Sequence, residues 1–126
     1  MANDVVHAEI IGEDPDRLRE FYFSLFGWSA EPGDSVAPEV SAPGSYAFNP
    51  PSADASAVPV GIGGGRDFTS RVIFYVGVDD VEAALGRAVS LGASVVVHPT
   101  TRPDGRIRIA QFADPAGNVV GVAGPA

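Results

Sequence analysis

The side chains best suited to acid–base chemistry lie near the start of the chain. His7 and Glu9 stand two residues apart in VVHAEII (residues 5–11), where apolar residues alternate with them as in a half-buried β-strand. An imidazole titrates near neutral pH, and a carboxylate beside it can orient it or accept a proton itself. His7 and Glu9 are therefore the candidate catalytic residues. A structural hydrogen-bonded pair would have the same pattern.

A second apolar stretch carries polar groups in matching places. Arg71 and Tyr75 share one face of RVIFYVGV (residues 71–78) with Ile73, and the valine and phenylalanine side chains between them are expected to face a helix layer. A guanidinium can bind an anionic ligand, or it can pair with the Glu9 carboxylate as a structural ion pair. Arg71 and Tyr75 are therefore candidate ligand-binding residues.

Three further residues are candidates for ligand binding. Trp28 and Tyr46, together with Phe48, have flat rings that form either core or the wall of a cleft, where they could stack on a planar compound. Arg106 and Arg108 alternate at the start of a predicted strand (107–113), so Arg108 could belong to an anion site for a carboxylate or a phosphate. The alternative is that both arginines face solvent.

The composition excludes several kinds of chemistry. The chain of 126 residues has no cysteine, and all eight of its basic residues are arginine. Zinc–thiolate sites, cysteine nucleophiles and lysine Schiff bases are therefore excluded.

The charge of the chain is strongly acidic and unevenly distributed. The formal net charge is −8, and residues 1–67, with eleven acidic residues and three arginines, account for all of it. Binding to nucleic acid or to an anionic membrane is therefore not expected. No apolar run approaches 18 residues and no signal-peptide pattern precedes VVHAEII, so a cytoplasmic location is the expectation.

Two helices are predicted to hold these residues in place. Asp14 and Pro15 can begin the first helix and Gly27 can end it, and an apolar stripe of Leu18, Phe21, Tyr22, Leu25 and Phe26 is expected to form core against a sheet. The second helix begins after Asp79-Asp80 and ends at Gly92, with Gly86 allowing close packing on the sheet. Further strands are predicted at 28–30, 45–49, 57–63, 94–98, 107–113 and 119–123, with a loop at 50–57.

The two halves of the chain repeat the same order of elements. A strand, an aspartate, a helix, a glycine and further strands occur twice at an offset of about 66 residues, which aligns Asp14 with Asp80 and His7 with Ile73. The repeat predicts one α+β domain over residues 1–126, built from two βαβββ modules at about 4–66 and 67–126.

Four motifs in this order resemble a known superfamily. They are His7 with Asp14-Pro15, the aromatic pairs around Phe26-Gly27-Trp28, VDDVEAA (78–84) and DPAGN (114–118). Together they resemble the glyoxalase/bleomycin-resistance/extradiol-dioxygenase superfamily, also called vicinal oxygen chelate. The resemblance implies two modules whose sheets curve into a U-shaped cleft with the helices outside, and it implies a homodimer.

The resemblance also implies where a metal would bind. Members that use a divalent ion hold it with His and Glu side chains from the first and last strands of each module. His7 matches one such position, whereas Ile73, Gly121 and the segment 60–62 offer no donor side chain. We therefore expect no metal ligands and no cofactor, with an atypical divalent metal site as the alternative.

Two functions follow from this reading. The first is a binding protein that holds a small organic ligand in the cleft between the modules without a metal. The alternative is a glyoxalase-like lyase, isomerase or dioxygenase that uses His7 and Glu9 with an atypical metal site.

Overall fold

The computed structural model describes residues 2–29, 32–33, 36–49 and 57–126. The chain forms two compact units, His7–Val72 and a second made of Met1–Val6 with Ile73–Ala126. The sequence repeat places a boundary near residue 66, whereas the units change between Val72 and Ile73. The segment that follows residue 64 stays with the first unit, to which the hydrogen bond from Gly65 N to Gly12 O (3.0 Å) joins it.

The first unit is a small sheet with one helix. Its elements are β1 (Val5–Gly12), α1 (Pro15–Phe26), β2 (Ala47–Asn49) and β3 (Val60–Gly64). Strand β3 lies between the other two, parallel to β1 and antiparallel to β2. In this register Gly61 lies opposite both Glu9 and Phe48.

Helix α1 begins and ends where its capping residues predict. The Asp14 carboxylate accepts a hydrogen bond from Arg17 N at 3.2 Å, and Pro15 is the first helical residue. Gly27 ends the helix in the left-handed conformation, with φ at +74°. A Cβ on Gly12 would lie 2.7 Å from Leu18 Cδ1, so α1 covers the face of β1 opposite to His7 and Glu9.

The core predicted for α1 is wrong. Phe21, Leu25 and Phe26 are each more than half exposed, and no residue of α1 is fully buried. Only Leu18 and Tyr22 of the predicted stripe are half-buried. Helical spacing shows which side chains share a side of a helix, but it does not show that another element covers that side.

The second unit has a longer sheet. Its elements are β4 (Arg71–Gly77), α2 (Val81–Ser90), β5 (Ser94–Thr101), β6 (Ile107–Ala113) and β7 (Val119–Pro125). The strand order is β4-β7-β6-β5, in which β4 and β7 are parallel and the other pairs antiparallel. Here Gly121 of β7 lies opposite both Tyr75 and Gln111.

Helix α2 packs on the sheet of the second unit. Asp80 caps it by accepting a hydrogen bond from Ala83 N at 3.0 Å, and Val81 and Leu85 pack with Ala110 and Val122 in a buried cluster. The expectation that β4 buries Val72 and Phe74 against a helix is wrong. Val72 is 72% exposed and Phe74 is 44% exposed, so alternation identified their face without showing what covers it.

Several strand boundaries differ from the prediction. Residues 45–46 precede β2, and both β5 and β7 run past their predicted ends. The strand predicted at 28–30 is absent over residues 28–29, Ala30 lies outside the described residues, and a single antiparallel bridge joins Pro32 to Ala47. Most of the loop predicted at 50–57 also lies outside the described residues.

Gly86 does not have the packing role that its sequence position predicts. It is exposed in the middle of α2, and a Cβ there would meet nothing within 4 Å. Gly86→Ala should therefore raise the free energy of unfolding by about 1 kcal/mol, measured by urea denaturation. Gly27→Ala, at positive φ, should instead lower it by about 1–2 kcal/mol. A destabilising effect of Gly86→Ala would contradict the conclusion that Gly86 has no packing role.

The turn between β6 and β7 depends on one carboxylate. Asp114 accepts hydrogen bonds from Ala116 N and Asn118 N, both at 2.9 Å, and from the Asn118 side chain. The Asn118 side chain, followed by its backbone N–H, holds the pKa of Asp114 below its usual value.

Asp114→Asn should therefore lower the melting temperature at pH 7. Because the folded-state pKa is depressed, the carboxylate stabilises the fold above the unfolded-state pKa of about 3.9 and loses that effect as pH falls through the folded-state value. In thermal melts over a pH series, the difference in melting temperature between the variant and the wild type should become smaller in that acidic range. Asp67→Asn, at an exposed site, serves as the control, and an equal effect at both sites would refute the prediction.

Candidate functional site

Three polar side chains of the first unit form one hydrogen-bonded network. His7 Nε2 lies 2.8 Å from the Tyr46 hydroxyl, which donates to Glu9 Oε1 at 3.0 Å. Glu9 and Tyr46 are each 1% exposed, and His7 is half-buried. The structure therefore brings together the two candidate catalytic residues and one of the candidate ligand-binding residues. We call these three residues the His7 network.

The direction of the hydrogen bonds determines where the protons lie. Tyrosine has one hydroxyl proton, and in this network that proton points to the Glu9 carboxylate. The Tyr46 oxygen can then accept a hydrogen bond from the His7 tautomer that carries its proton on Nε2. The hydrogen bond to Tyr46 thus holds the His7 ring in one orientation.

Glycines in β3 make the network possible. Strand β3 separates β1 from β2, and the Tyr46 ring lies directly over it. A Cβ on Gly61 would stand 1.8 Å from the Tyr46 hydroxyl oxygen, and one on Gly63 would stand 2.6 Å from Cδ2 of the same ring. Any larger residue at Gly61 would therefore push Tyr46 out of reach of Glu9.

Two neighbours hold the network in position. The Phe48 ring stacks on the His7 ring, with centroids 4.7 Å apart and planes 8° from parallel. Ser41 is buried and anchors the segment before β2, since its hydroxyl accepts from Gly64 N at 2.9 Å. Phe48 was expected, like Tyr46, to form core or the wall of a cleft, and its spacing of two from Tyr46 places both on one face of the β2 segment.

The second unit has a related pair. Gln111 Nε2 donates to the Tyr75 hydroxyl at 2.8 Å, and both residues are buried. The Tyr75 ring lies over Gly121, where a Cβ would be 2.2 Å from Cδ1. Gln111 Oε1 is buried and has no hydrogen-bond partner among the described residues.

Sequence reasoning missed Gln111. The signal that could have found it is a single amide in the middle of the apolar strand IRIAQFA (107–113). In the strand registers, Gly121 lies opposite both Tyr75 and Gln111. Gly61 lies opposite both Glu9 and Phe48 in the same way. The two units thus share one arrangement, in which side chains of the outer strands flank a glycine in the strand between them.

Other predicted ligand-binding residues lie elsewhere. Trp28 stacks on Tyr22 beside the end of α1, with ring centroids 5.4 Å apart. Arg108 pairs with Glu82 of α2 and donates to the Thr101 hydroxyl at 2.8 Å. Because positions 108 and 111 alternate in β6, Arg108 lies on the α2 side of its sheet and does not join Tyr75.

Arg71, the remaining predicted ligand-binding residue, is half-buried at the start of β4. Its Nε is buried and makes no hydrogen bond among the described residues. A role in ligand binding stays a prediction for Arg71, as it does for Tyr75 and Trp28.

Apart from His7, the residues at the usual metal positions of the superfamily offer no side chain that could bind a divalent ion. Ile73 is buried and apolar, and the Tyr75 ring fills the space beside Gly121 where a longer side chain would stand. Over the ranges that the structure describes, no three His, Asp or Glu side chains come together as a possible metal site. An atypical site stays a hypothesis.

The chain is similar in fold to several solved structures. Methylmalonyl-CoA epimerase from Streptomyces coelicolor is 18% identical, with a TM-score of 0.67, and covers 100% of this chain and 99% of that chain. The enzyme from Mycobacterium tuberculosis is 17% identical, with a TM-score of 0.63 over 97% of this chain and 87% of that chain. The Mn(II)-bound glyoxalase from Novosphingobium aromaticivorans is 20% identical, with a TM-score of 0.61, over 98% of this chain and 40% of that chain.

These likenesses confirm the α+β, glyoxalase-like fold that the sequence predicts. Within the described residues, no helix is long and apolar enough to span a membrane. A search of curated proteins found no match. The family model described as "Glyoxalase-like domain" matches residues 6–123, which is nearly the whole chain. The chain therefore belongs to the glyoxalase-like domain family, within the vicinal oxygen chelate superfamily.

Proposed function

We propose that this protein is a cytoplasmic small-molecule binding protein that recognises a polar group of its ligand through the His7 network, without the usual divalent metal. The observation that carries the proposal is the continuous hydrogen-bonded chain of His7, Tyr46 and Glu9. Burying a carboxyl group is unfavourable unless hydrogen bonds compensate for the lost water. A buried network of three ionisable groups is therefore typical of a binding or catalytic site.

We expect His7 to be the member of the network that meets the ligand. Glu9 and Tyr46 are buried, whereas His7 is half-buried and lies at one end of the chain of hydrogen bonds. Glu9 and Tyr46 thus set the proton position and the orientation of the His7 ring. The stacked Phe48 ring keeps the imidazole plane in place and supplies apolar surface beside it. The ligand that fits has a hydrogen-bonding group next to an apolar or flat portion.

An enzyme is the second candidate, because the same three groups can move a proton. His7 could take a proton from a bound compound while its Nε2 proton passes to Tyr46 and the hydroxyl proton passes to Glu9. The solved structures of similar fold include enzymes, methylmalonyl-CoA epimerase and a glyoxalase. A lyase or an isomerase would need this transfer, and a dioxygenase would in addition need the atypical metal site.

The binding role can be tested with the two histidines of the chain. We expect thermal-shift screening of thiol adducts, aromatic metabolites and cationic antibiotics to find a stabilising compound, since saturation at 100 times Kd stabilises by about 2.7 kcal/mol. His7→Ala should weaken binding of that compound at least tenfold in calorimetry, because the contacting group is lost. His98→Ala, at an exposed strand position, should not. Unchanged binding by His7→Ala would refute the site.

Tyr46→Phe distinguishes binding from proton transfer. Removal of the hydroxyl leaves Glu9 and His7 without this partner and should lower the free energy of unfolding by about 1–3 kcal/mol. If the network only orients His7, the variant should bind the screened compound more weakly. If it relays protons, turnover of that compound, followed by NMR, should fall by at least 100-fold at saturating concentration. Tyr22→Phe is the control, and a Tyr46→Phe variant equal to wild type in stability and binding would contradict both roles.

A further inference from the structure

A cleft beside α1 lies apart from the His7 network. It has a volume of about 400 Å³ and lies between the end of β1 and the first two turns of α1. Its walls are formed on one side by Arg17, Leu18, Phe21 and Tyr22, and on the other by Gly12 and Glu13. We call these six residues the α1 cleft. Sites for small molecules have volumes of about 300–1,000 Å³, so the α1 cleft is large enough for one.

The α1 cleft forms where one side of α1 is only partly covered. Leu18, Phe21 and Tyr22 are three and four positions apart and therefore share one side of the helix. The sequence predicts that this side is core, but Leu18 and Tyr22 are half-buried and Phe21 is 56% exposed. A Cβ on Gly12 would stand 2.7 Å from Leu18 Cδ1, so glycine leaves the strand end narrow. Side chains predicted as core thus line an open cleft.

The aromatic wall of the α1 cleft is ordered without a ligand. Phe21 meets Tyr22 edge to face, with ring centroids 4.9 Å apart, and Tyr22 stacks on Trp28 at 5.4 Å. Rings that are already ordered lose little conformational entropy when a compound covers them, which favours binding. Aromatic rings attract flat apolar groups, and their faces also attract positive charge.

Charge determines which ligands suit the α1 cleft. Glu13 is exposed at its rim, and over the described ranges its carboxylate makes no hydrogen bond or ion pair. Asp14, which also lines the cleft, adds a second carboxylate. Arg17 is positive, but its side chain is exposed and long enough to turn toward solvent. Residues 1–67 carry the whole −8 net charge, so the surrounding field attracts cations and repels anions.

We propose that the α1 cleft binds an aromatic amine, a compound with a flat apolar ring and one positively charged nitrogen. The ring packs against Leu18, Phe21 and Tyr22, and the amine lies at the rim beside Glu13. Because the rim is open to solvent, the amine keeps part of its hydration and its charge is not buried. The site is independent of the His7 network, since α1 covers the face of β1 opposite to His7.

The test is a titration of the full chain with tryptamine, followed by its backbone amide signals in NMR. Tryptamine is positively charged at neutral pH, whereas indole-3-acetate has the same ring and a negative charge. We expect tryptamine to shift the signals of residues 12–22 with saturation, and to bind more tightly than indole-3-acetate at low salt. Three results would overturn the proposal: no saturable shift with tryptamine, equal or tighter binding of indole-3-acetate, or shifts confined to residues outside 12–22.

Variants at exposed positions test the two contacts separately. Phe21→Ala should weaken tryptamine binding at least tenfold because it removes a ring from the wall. Phe23→Ala removes a ring that is 57% exposed but does not line the cleft, and it should bind like wild type. Glu13→Gln should weaken binding about fivefold, as for the loss of an exposed ion pair. Glu20→Gln, at another exposed carboxylate of α1, is its control.

Thermal melts of the four variants show whether each of them folds. Phe21, Phe23, Glu13 and Glu20 are all exposed, so their melting temperatures should stay close to that of wild type. Equal loss of binding in Phe21→Ala and Phe23→Ala would refute the cleft as the site. Equal loss in Glu13→Gln and Glu20→Gln would refute the contact between Glu13 and the amine.

Discussion

The first unit of this protein is organised around a buried carboxyl group. Glu9 is almost completely removed from solvent, and the Tyr46 hydroxyl reaches it from the far side of β3. This contact requires glycine at position 61, because the hydroxyl occupies the space where a side chain would stand. It also favours the His7 tautomer that carries a proton on Nε2, since the tyrosine hydroxyl donates to Glu9. The packing of Tyr46 over the sheet and the geometry of the candidate site thus depend on one hydrogen bond across a strand.

The second unit keeps this arrangement and changes its chemistry. Gly121 again lies between two outer strands whose side chains meet over it, but the pair is Tyr75 with the amide of Gln111. An amide and a phenol do not exchange protons readily near neutral pH, so this pair can bind or support structure but cannot replace the His7 network. The two units therefore share a geometry around a glycine, and only the first places a histidine and a carboxyl group there.

Membership of the glyoxalase-like domain family limits the functions to consider but does not select one of them. The glyoxalase-like domain matches nearly the whole chain, and the solved structures of similar fold include an epimerase and a manganese glyoxalase. A shared fold supports different activities, so function has to be argued from the site. Here the candidate site is a network of His7, Tyr46 and Glu9, and Ile73 and the Tyr75 ring occupy two of the places where superfamily members would hold an ion. Binding and proton transfer are the two uses that this network supports.

The sequence by itself determined the elements and the faces of the strands. Caps at Asp14, Gly27 and Asp80 act locally, and period-two alternation correctly placed His7 and Glu9 opposite the helix. It did not determine which of these faces another element buries, or which residues far apart in the chain come into contact. Periodicity could not show that Phe21 and Phe26 remain exposed, because burial depends on elements distant in the chain.

Tyr46 was one candidate among several until β3 brought it across Gly61 to Glu9, and Gln111 was not a candidate at all. Both contacts depend on strand register, which the tertiary structure decides because pairing partners lie far apart in sequence.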